Sequence, residues 1–368
     1  MSKIKGFLRK KGIVISLRRS GIDALGAMAQ GLFCTLLVGT ILNTLGQQFG
    51  ISFLNRTIVS IGQGEGAVSY TVGGLASAMV GPGIAAAIGA ALQCPGLVLF
   101  SLLPVGYAAN AMGGAGGPLA VFFVTIAAAE CGKLVSKETR VDILVTPVVT
   151  ILVGMGVASL IAEPIGAAAK SVGIAIMWAT ELHPFFMGIA VSAIIGMALT
   201  LPISSAAICA AFGLTGLAGG AAVAGCCAQM VGFAVISFRE NRWGGLVAQG
   251  IGTSMLQMPN IVKKPVIWLP TILASMVTGP IATCVFKLQM NGSPVSSGMG
   301  TCGFVGQIGV YTGWLNDIAA GTRTAITVMD WVGLVLICFI LPGLLSWIFC
   351  EGFRRLGWIR DNDMKLDL

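Results

Sequence analysis

Read by hydropathy alone, the chain alternates long apolar runs with short polar connectors from Gly21 to Cys350. Runs of this kind, nearly free of charge, are what membrane crossing requires, at about 20 apolar residues per helix. They predict helices over roughly 22–42, 67–91, 94–110, 115–135, 142–163, 216–237, 266–288 and 328–350. Two further runs are interrupted. Glu181–Leu214, ELHPFFMGIAVSAIIGMALTLPISSAAICAAFGL, is cut at Pro202, and the pair Ser204-Ser205 follows. The stretch 244–265, GGLVAQGIGTSMLQMPNIVKKP, is cut by glycines, hydroxyls and Pro259. Backbone groups freed at such breaks find no water in lipid, so breaks persist only inside protein or along a wet cavity. Transporters put solute sites at broken helices near the bilayer midplane. The pattern predicts an all-α polytopic membrane protein of about ten transmembrane or re-entrant helical segments, with both termini cytoplasmic.

The connectors suggest an organisation. Residues 1–20 form a basic amphipathic segment on the inner leaflet, and 21–163 the N-terminal membrane half, acting as scaffold. Within that half, 43–66 is polar enough for an interfacial or re-entrant piece, and Cys131–Arg140 reads as a cytoplasmic loop carrying Lys133, Lys137 and Arg140. Residues 164–183, with Lys170 and an apolar face from Val172 to Trp178, read as an amphipathic helix along the interface. The C-terminal half, 184–350, holds both broken segments and is the substrate domain; it includes a polar connector with Asp317 and Arg323. A cytoplasmic tail, 351–368, follows. No close internal repeat stands above composition.

Composition sharpens this picture. Apolar residues make up 56% and charged residues 10% of the chain, too little charge for the surface of a soluble enzyme. The 52 glycines suit close helix approach. The clusters Gly113–Gly117 and Ser296–Gly306 are too dense for continuous helix. The net charge of +8 does not point to nucleic acid. Lys3, Lys5, Arg9, Lys10, Lys11, Arg18 and Arg19 precede the first span, and Arg354, Arg355 and Arg360 follow the last, as the positive-inside rule expects. Ten cysteines are scattered without CxxC or Cys/His spacing, so neither a zinc site nor a disulfide framework is indicated. No HExxH, GxSxG or Walker A pattern occurs, which leaves no catalytic motif, no metal and no cofactor to assign.

Candidate chemistry concentrates at the breaks. His183, the one histidine, is either a solute or proton-sensitive group or an interfacial imidazole marking the helix start before Pro184. Glu181 either pairs with it or is an interfacial charge. Ser204, Ser205, Thr253, Ser254, Gln257 and Asn260 are neutral hydrogen-bonding groups suited to a polyol, whose hydroxyls both donate and accept. The same groups equally cap half-helices. Gln229, inside an apolar span, is a solute contact or a helix–helix hydrogen bond. Glu65, between Gly64 and Gly66, is a candidate proton or solute ligand, since acids near the bilayer are costly.

The residues HPFFMG (183–188), LPISSAAI (201–208) and GTSMLQMPNIVKKPVIWLP (252–270) resemble the membrane-spanning IIC components of the bacterial phosphoenolpyruvate-dependent sugar phosphotransferase system. They are most similar to its stand-alone branch, which includes the perfringolysin O regulator-type proteins. The resemblance covers about residues 20–350. It implies a homodimer in the bacterial cytoplasmic (inner) membrane, with the N-terminal half 21–163 making the dimer contact and the C-terminal half holding solute between two re-entrant hairpins. It also implies elevator-like movement coupled to phosphorylation by separate IIA and IIB proteins. Sugar-transporting members carry a Gly-Ile-Thr/Ser-Glu-Pro element at the second hairpin; here Gly252-Thr253-Ser254-Met255 has no acid. With one histidine, the chain holds no separate phosphohistidine domain. The leading reading is a permease binding and translocating a small polar solute, carbohydrate by class, by alternating access. The alternatives are a sensor that keeps the fold without transport, and an ion- or proton-coupled carrier using Glu65 and His183.

Overall fold

The computed structural model describes residues 11–13, 16–62 and 67–366. Most of the basic segment 1–20, and Glu65, lie outside the described residues. The regular structure among the described residues is helical apart from one exposed two-stranded ribbon, β1 (Val59–Ile61) antiparallel to β2 (Val68–Tyr70). Among the described residues, six helical stretches are long and apolar enough to cross a membrane, Gly96–Val135 counted as one, or seven if one bent pair counts as a span; the expected ten included re-entrant segments as well. The chain divides into two compact units, Met1–Ala168 and Ala169–Leu368.

In the first unit, α1 (Arg18–Phe49) runs seven residues beyond its expected end at Leu42. Its polar end is satisfied within the unit. Thr44 donates to the Thr40 carbonyl at 2.9 Å, and Asn43 Oδ1 accepts from Thr71 at 2.7 Å. Gly50, at φ +63°, then stops the helix in a left-handed cap. α2 (Val72–Ala78) and α3 (Val80–Ala91) bend by 53°. α4 (Gly96–Gly113) and α5 (Gly117–Val135) form a hairpin about Gly114, whose φ of +53° suits glycine. A Cβ on Gly132 would lie 2.9 Å from Val98, near the far ends of the pair, so this apolar stretch is folded back on itself. Lys133 is a correction to the expected loop. It lies in the last turn of α5, is 1% exposed and pairs with Glu130 at 2.8 Å.

α6 (Asp142–Thr180) is one helix of 39 residues that runs through Pro147 and Pro164. The separate interfacial helix expected over 164–183 is instead the end of α6, and the unit boundary falls inside it. Proline removes one hydrogen bond and bends a membrane helix without ending it, because neighbours can satisfy the freed carbonyl. At 1.5 Å per residue α6 is about 58 Å long, well beyond a bilayer core of ~30 Å.

The second unit is built around α9 (Gly216–Ile236), whose residues from Gly219 to Met230 are all buried. A helix apolar all round belongs in an interior, and its run LAGGAAVAGCCA lets neighbours come close. α7 (Pro184–Thr200) and α12 (Pro265–Val285) pack on α9 and on each other, and α14 (Val328–Arg355) covers α9 and α12. Ser192 of α7 donates to the Ser275 carbonyl of α12 at 2.7 Å. Both sequence breaks are real. α7 ends at Thr200 and the short α8 (Ser205–Ala211) begins after the LPIS turn. After α10 (Phe238–Val247) the chain passes through a π turn, Ala248–Gly252, and a 3-10 turn, Ser254–Gln257, before α11 (Met258–Lys263). A helical turn at Pro294–Ser297 leads to α13 (Val305–Ala319). Asp317 therefore sits in a helix and not in the expected connector.

Candidate functional site

The two interruptions meet in the second unit. Thr200, the last residue of α7, and Ser254, the first of the 3-10 turn, are fully buried with their hydroxyls 2.8 Å apart. Each helix ends where it does for a local reason. Leu201, the residue before Pro202, takes the extended conformation that a following proline favours and so closes α7, and Thr253 caps the turn by accepting the Met255 N–H at 3.2 Å. Beside them lies Gln229, the one amide in the apolar α9. Its Oε1 accepts from Thr200 at 3.3 Å, Trp268 Nε1 at 2.8 Å and Thr271 at 2.9 Å.

An indole N–H can only donate, which fixes the orientation of the Gln229 amide. Its Nε2 is thereby left buried without a protein partner. Ser346 of α14 is also buried with a hydroxyl that has no partner. A Cβ on Gly232, one turn from Gln229, would lie 2.5 Å from Ser346 Oγ and 2.9 Å from Thr271 Cγ2, so these groups gather at one place. Buried polar groups are nearly always paired, and an orphan asks for a water or a ligand. The cluster offers an amide donor, hydroxyls that donate or accept, and the half-buried Trp268 ring. It holds no charge, and its donors and acceptors are of the kind an uncharged polyhydroxylated solute can use.

The other sequence candidates distribute differently. Ser204 caps α8, accepting the Ala207 N–H at 3.2 Å, and Ser205 ties α8 to the Gly298 carbonyl at 2.7 Å. Gln257 and Asn260 are buried and bond to the C-terminal segment, at Met364 O and Lys365 O, each at 2.9 Å. His183 is exposed at the N-cap of α7, with Nδ1 3.5 Å from the Phe185 N–H, and Glu181 is exposed beside it. The 17-residue α7 separates them from Thr200 by about 25 Å at 1.5 Å per residue. The structure brings together Gln229 and Ser254 from the sequence candidates, and adds Thr200, Trp268, Thr271 and Ser346. Thr271 follows Trp268 by three residues, so both fall on one helix face; that spacing, just after the second break, was a usable signal. Ser346 gave none.

A second polar feature is a cavity of about 550 Å³ lined by Lys287, Gln289, Asn291, Trp314, Asp317, Arg323 and Asp330 among others. Its charges largely answer one another. Asn291 Nδ2 donates to both Asp317 oxygens at 3.0 Å, Arg323 pairs with Asp330, and the guanidinium lies 5.4 Å from the Trp314 ring. The neutral cluster, with unanswered donors, is the stronger candidate.

Long apolar helices and a glycine-rich bundle with two interrupted segments around a buried neutral polar cluster together define a multi-pass helical membrane protein. A family model described as Phosphotransferase system, EIIC matches residues 22–366, and the chain belongs to that family. No curated protein and no solved structure matches it.

Proposed function

We propose that the chain is an EIIC permease that binds a small uncharged polar solute, carbohydrate by class, in its second unit and moves it across the bacterial cytoplasmic membrane by alternating access. Phosphorylation, where it is coupled, comes from separate partner proteins, since the chain carries no catalytic motif. The observation that carries this reading is the Gln229 amide: fully buried, its oxygen saturated and its Nε2 free, where Thr200 and Ser254 join the two breaks. A solute oxygen accepting from Nε2 would complete the amide, and ring hydroxyls would exchange bonds with Thr200, Ser254 and Ser346. The Trp268 ring supplies an apolar face for sugar C–H groups. Neutral groups at a break can also let go of a solute, because no charge is stranded when it leaves.

The test is a thermal-shift screen of the detergent-solubilised protein against sugars, polyols and sugar phosphates, repeated with Gln229→Leu. Leaving buried polar groups unpaired costs about 1–3 kcal/mol, so affinity for any hit should fall roughly ten- to a hundred-fold. A hit that binds Gln229→Leu as tightly as wild type removes the cluster from the solute site. A screen in which nothing stabilises the protein counts against transport of these solutes altogether.

A further inference from the structure

Beyond α14 the chain turns at Gly357, with φ +73°, and its last described residues are held by side chains instead of by secondary structure. Ile359 and Met364 are buried. Asp363 Oδ2 accepts the Arg360 N–H at 2.6 Å and meets Lys264 Nζ at 2.6 Å. Asn241 Nδ2 donates to the Met364 carbonyl at 2.8 Å, while its Oδ1 accepts the Leu366 N–H at 2.8 Å. Bonding O of one residue and N–H of the second residue after it is how a parallel strand addresses its neighbour. A side-chain amide, with one acceptor and one donor group, can imitate it. Gln257 Nε2 also reaches Met364 O, and Asn260 Nδ2 reaches Lys365 O, each at 2.9 Å.

Behind this groove the amides continue inward. Asn260 donates to Gln257 Oε1, Gln257 to Gln249 Oε1, and Gln249 to Ser237, each at 2.9 Å. Gln257 and Asn260 belong to the interrupted stretch Ser254–Lys263, whose 3-10 turn begins at Ser254, the residue bonded to Thr200. The tail therefore satisfies buried amides that sit on the second break.

We propose that residues 359–366 are a detachable latch: a peptide ligand, bound in cis, of a groove formed by Asn241, Gln257, Asn260 and Lys264. Its docking holds the interrupted stretch Ser254–Lys263 in one conformation. The groove reads peptide backbone and the Asp363 carboxylate, and the segment also buries the side chains of Ile359 and Met364. The exposed Lys365 side chain is not read. This assignment is independent of which solute the protein carries.

The experiment uses a fluorescent peptide of residues 357–366 and the detergent-purified chain truncated after Leu356. The peptide should bind the truncated chain saturably. It should bind the full-length chain at least ten-fold more weakly, because there the groove is occupied. Asp363→Ala or Met364→Asp in the peptide should weaken binding at least ten-fold, and Lys365→Ala should leave it unchanged. A monodisperse truncated chain that ignores the peptide, or equal binding to both chains, overturns the proposal. Should the truncated chain not fold, hydrogen exchange on full-length Asp363→Ala decides. Faster exchange at 254–263 and 364–366 supports the latch, and exchange identical to wild type overturns it.

Discussion

Replacing Arg354 by alanine is expected to destabilise the second unit by about 3–5 kcal/mol, the usual result of stripping a buried ion of its partner. Arg354 Nη2 donates to Glu240 Oε1 and to the Ile236 carbonyl, both at 3.1 Å. The side chains are 10% and 3% exposed, so water screens little of this pair. Without the guanidinium, the Glu240 carboxylate would remain buried beside the C-terminal carbonyls of α9, the negative end of that helix. For a unit of this size each kcal/mol moves the midpoint by about 2–4 °C, so a drop of roughly 6–20 °C is expected in a melt followed by monodispersity. The pair need not itself be a net gain. Arg354→Met combined with Glu240→Leu should recover most of the loss, because apolar replacements of a buried pair are often neutral. A single Arg354→Ala melting within about 2 °C of wild type, less than 1 kcal/mol on that scale, would contradict the buried geometry.

The second large effect is expected at Gly225. A Cβ there would lie 1.9 Å from the Ser192 carbonyl oxygen and 2.5 Å from its carbon, both backbone atoms of α7. Neither can rotate away, so valine must push α7 and α9 apart. Overpacking costs about 1–3 kcal/mol and occasionally more. The damage also spreads, because Gln229 lies one turn along α9 and bonds to Thr200 on the same helix pair. Gly225→Val should therefore lower both the melting temperature and the response to any solute found in the screen. Gly156→Ala is the control: nothing lies within 4 Å of its Cβ position. Removing a helical glycine there should be neutral or stabilising by about 0.5–1 kcal/mol. Equal melting shifts for the two variants would refute the close crossing of α7 and α9.

How much of this was legible differs from residue to residue. The two breaks were, because each pairs a helix-weakening residue with hydroxyls that can cap the next turn, Pro202 with Ser204-Ser205 and the glycines of 244–252 with Thr253-Ser254. The role of each polar group near a break was not. Ser204 and Ser205 are adjacent in sequence, yet one caps α8 and the other binds Gly298, 93 residues away. Gln257 and Asn260 looked like solute groups, and both bond to a tail more than 100 residues further on. Local propensity cannot choose between such partners, since a neutral amide fits backbone and sugar hydroxyl equally well. α6 runs through Pro164 for a similar reason: proline reports a lost bond, and the surroundings decide whether the helix ends.

What the sequence determined by itself is the class: helical, membrane-crossing, glycine-packed and interrupted twice in its second half. These follow from hydropathy and backbone chemistry, which are properties of single residues and short windows. Only the tertiary structure decided that Thr200, Gln229, Ser254, Trp268 and Thr271 converge while His183 stands at the far end of α7. It likewise decided that the charged tail folds back onto the second break. Convergence depends on which helix faces meet, and those faces are set by small-residue contacts between segments that share no sequence signal.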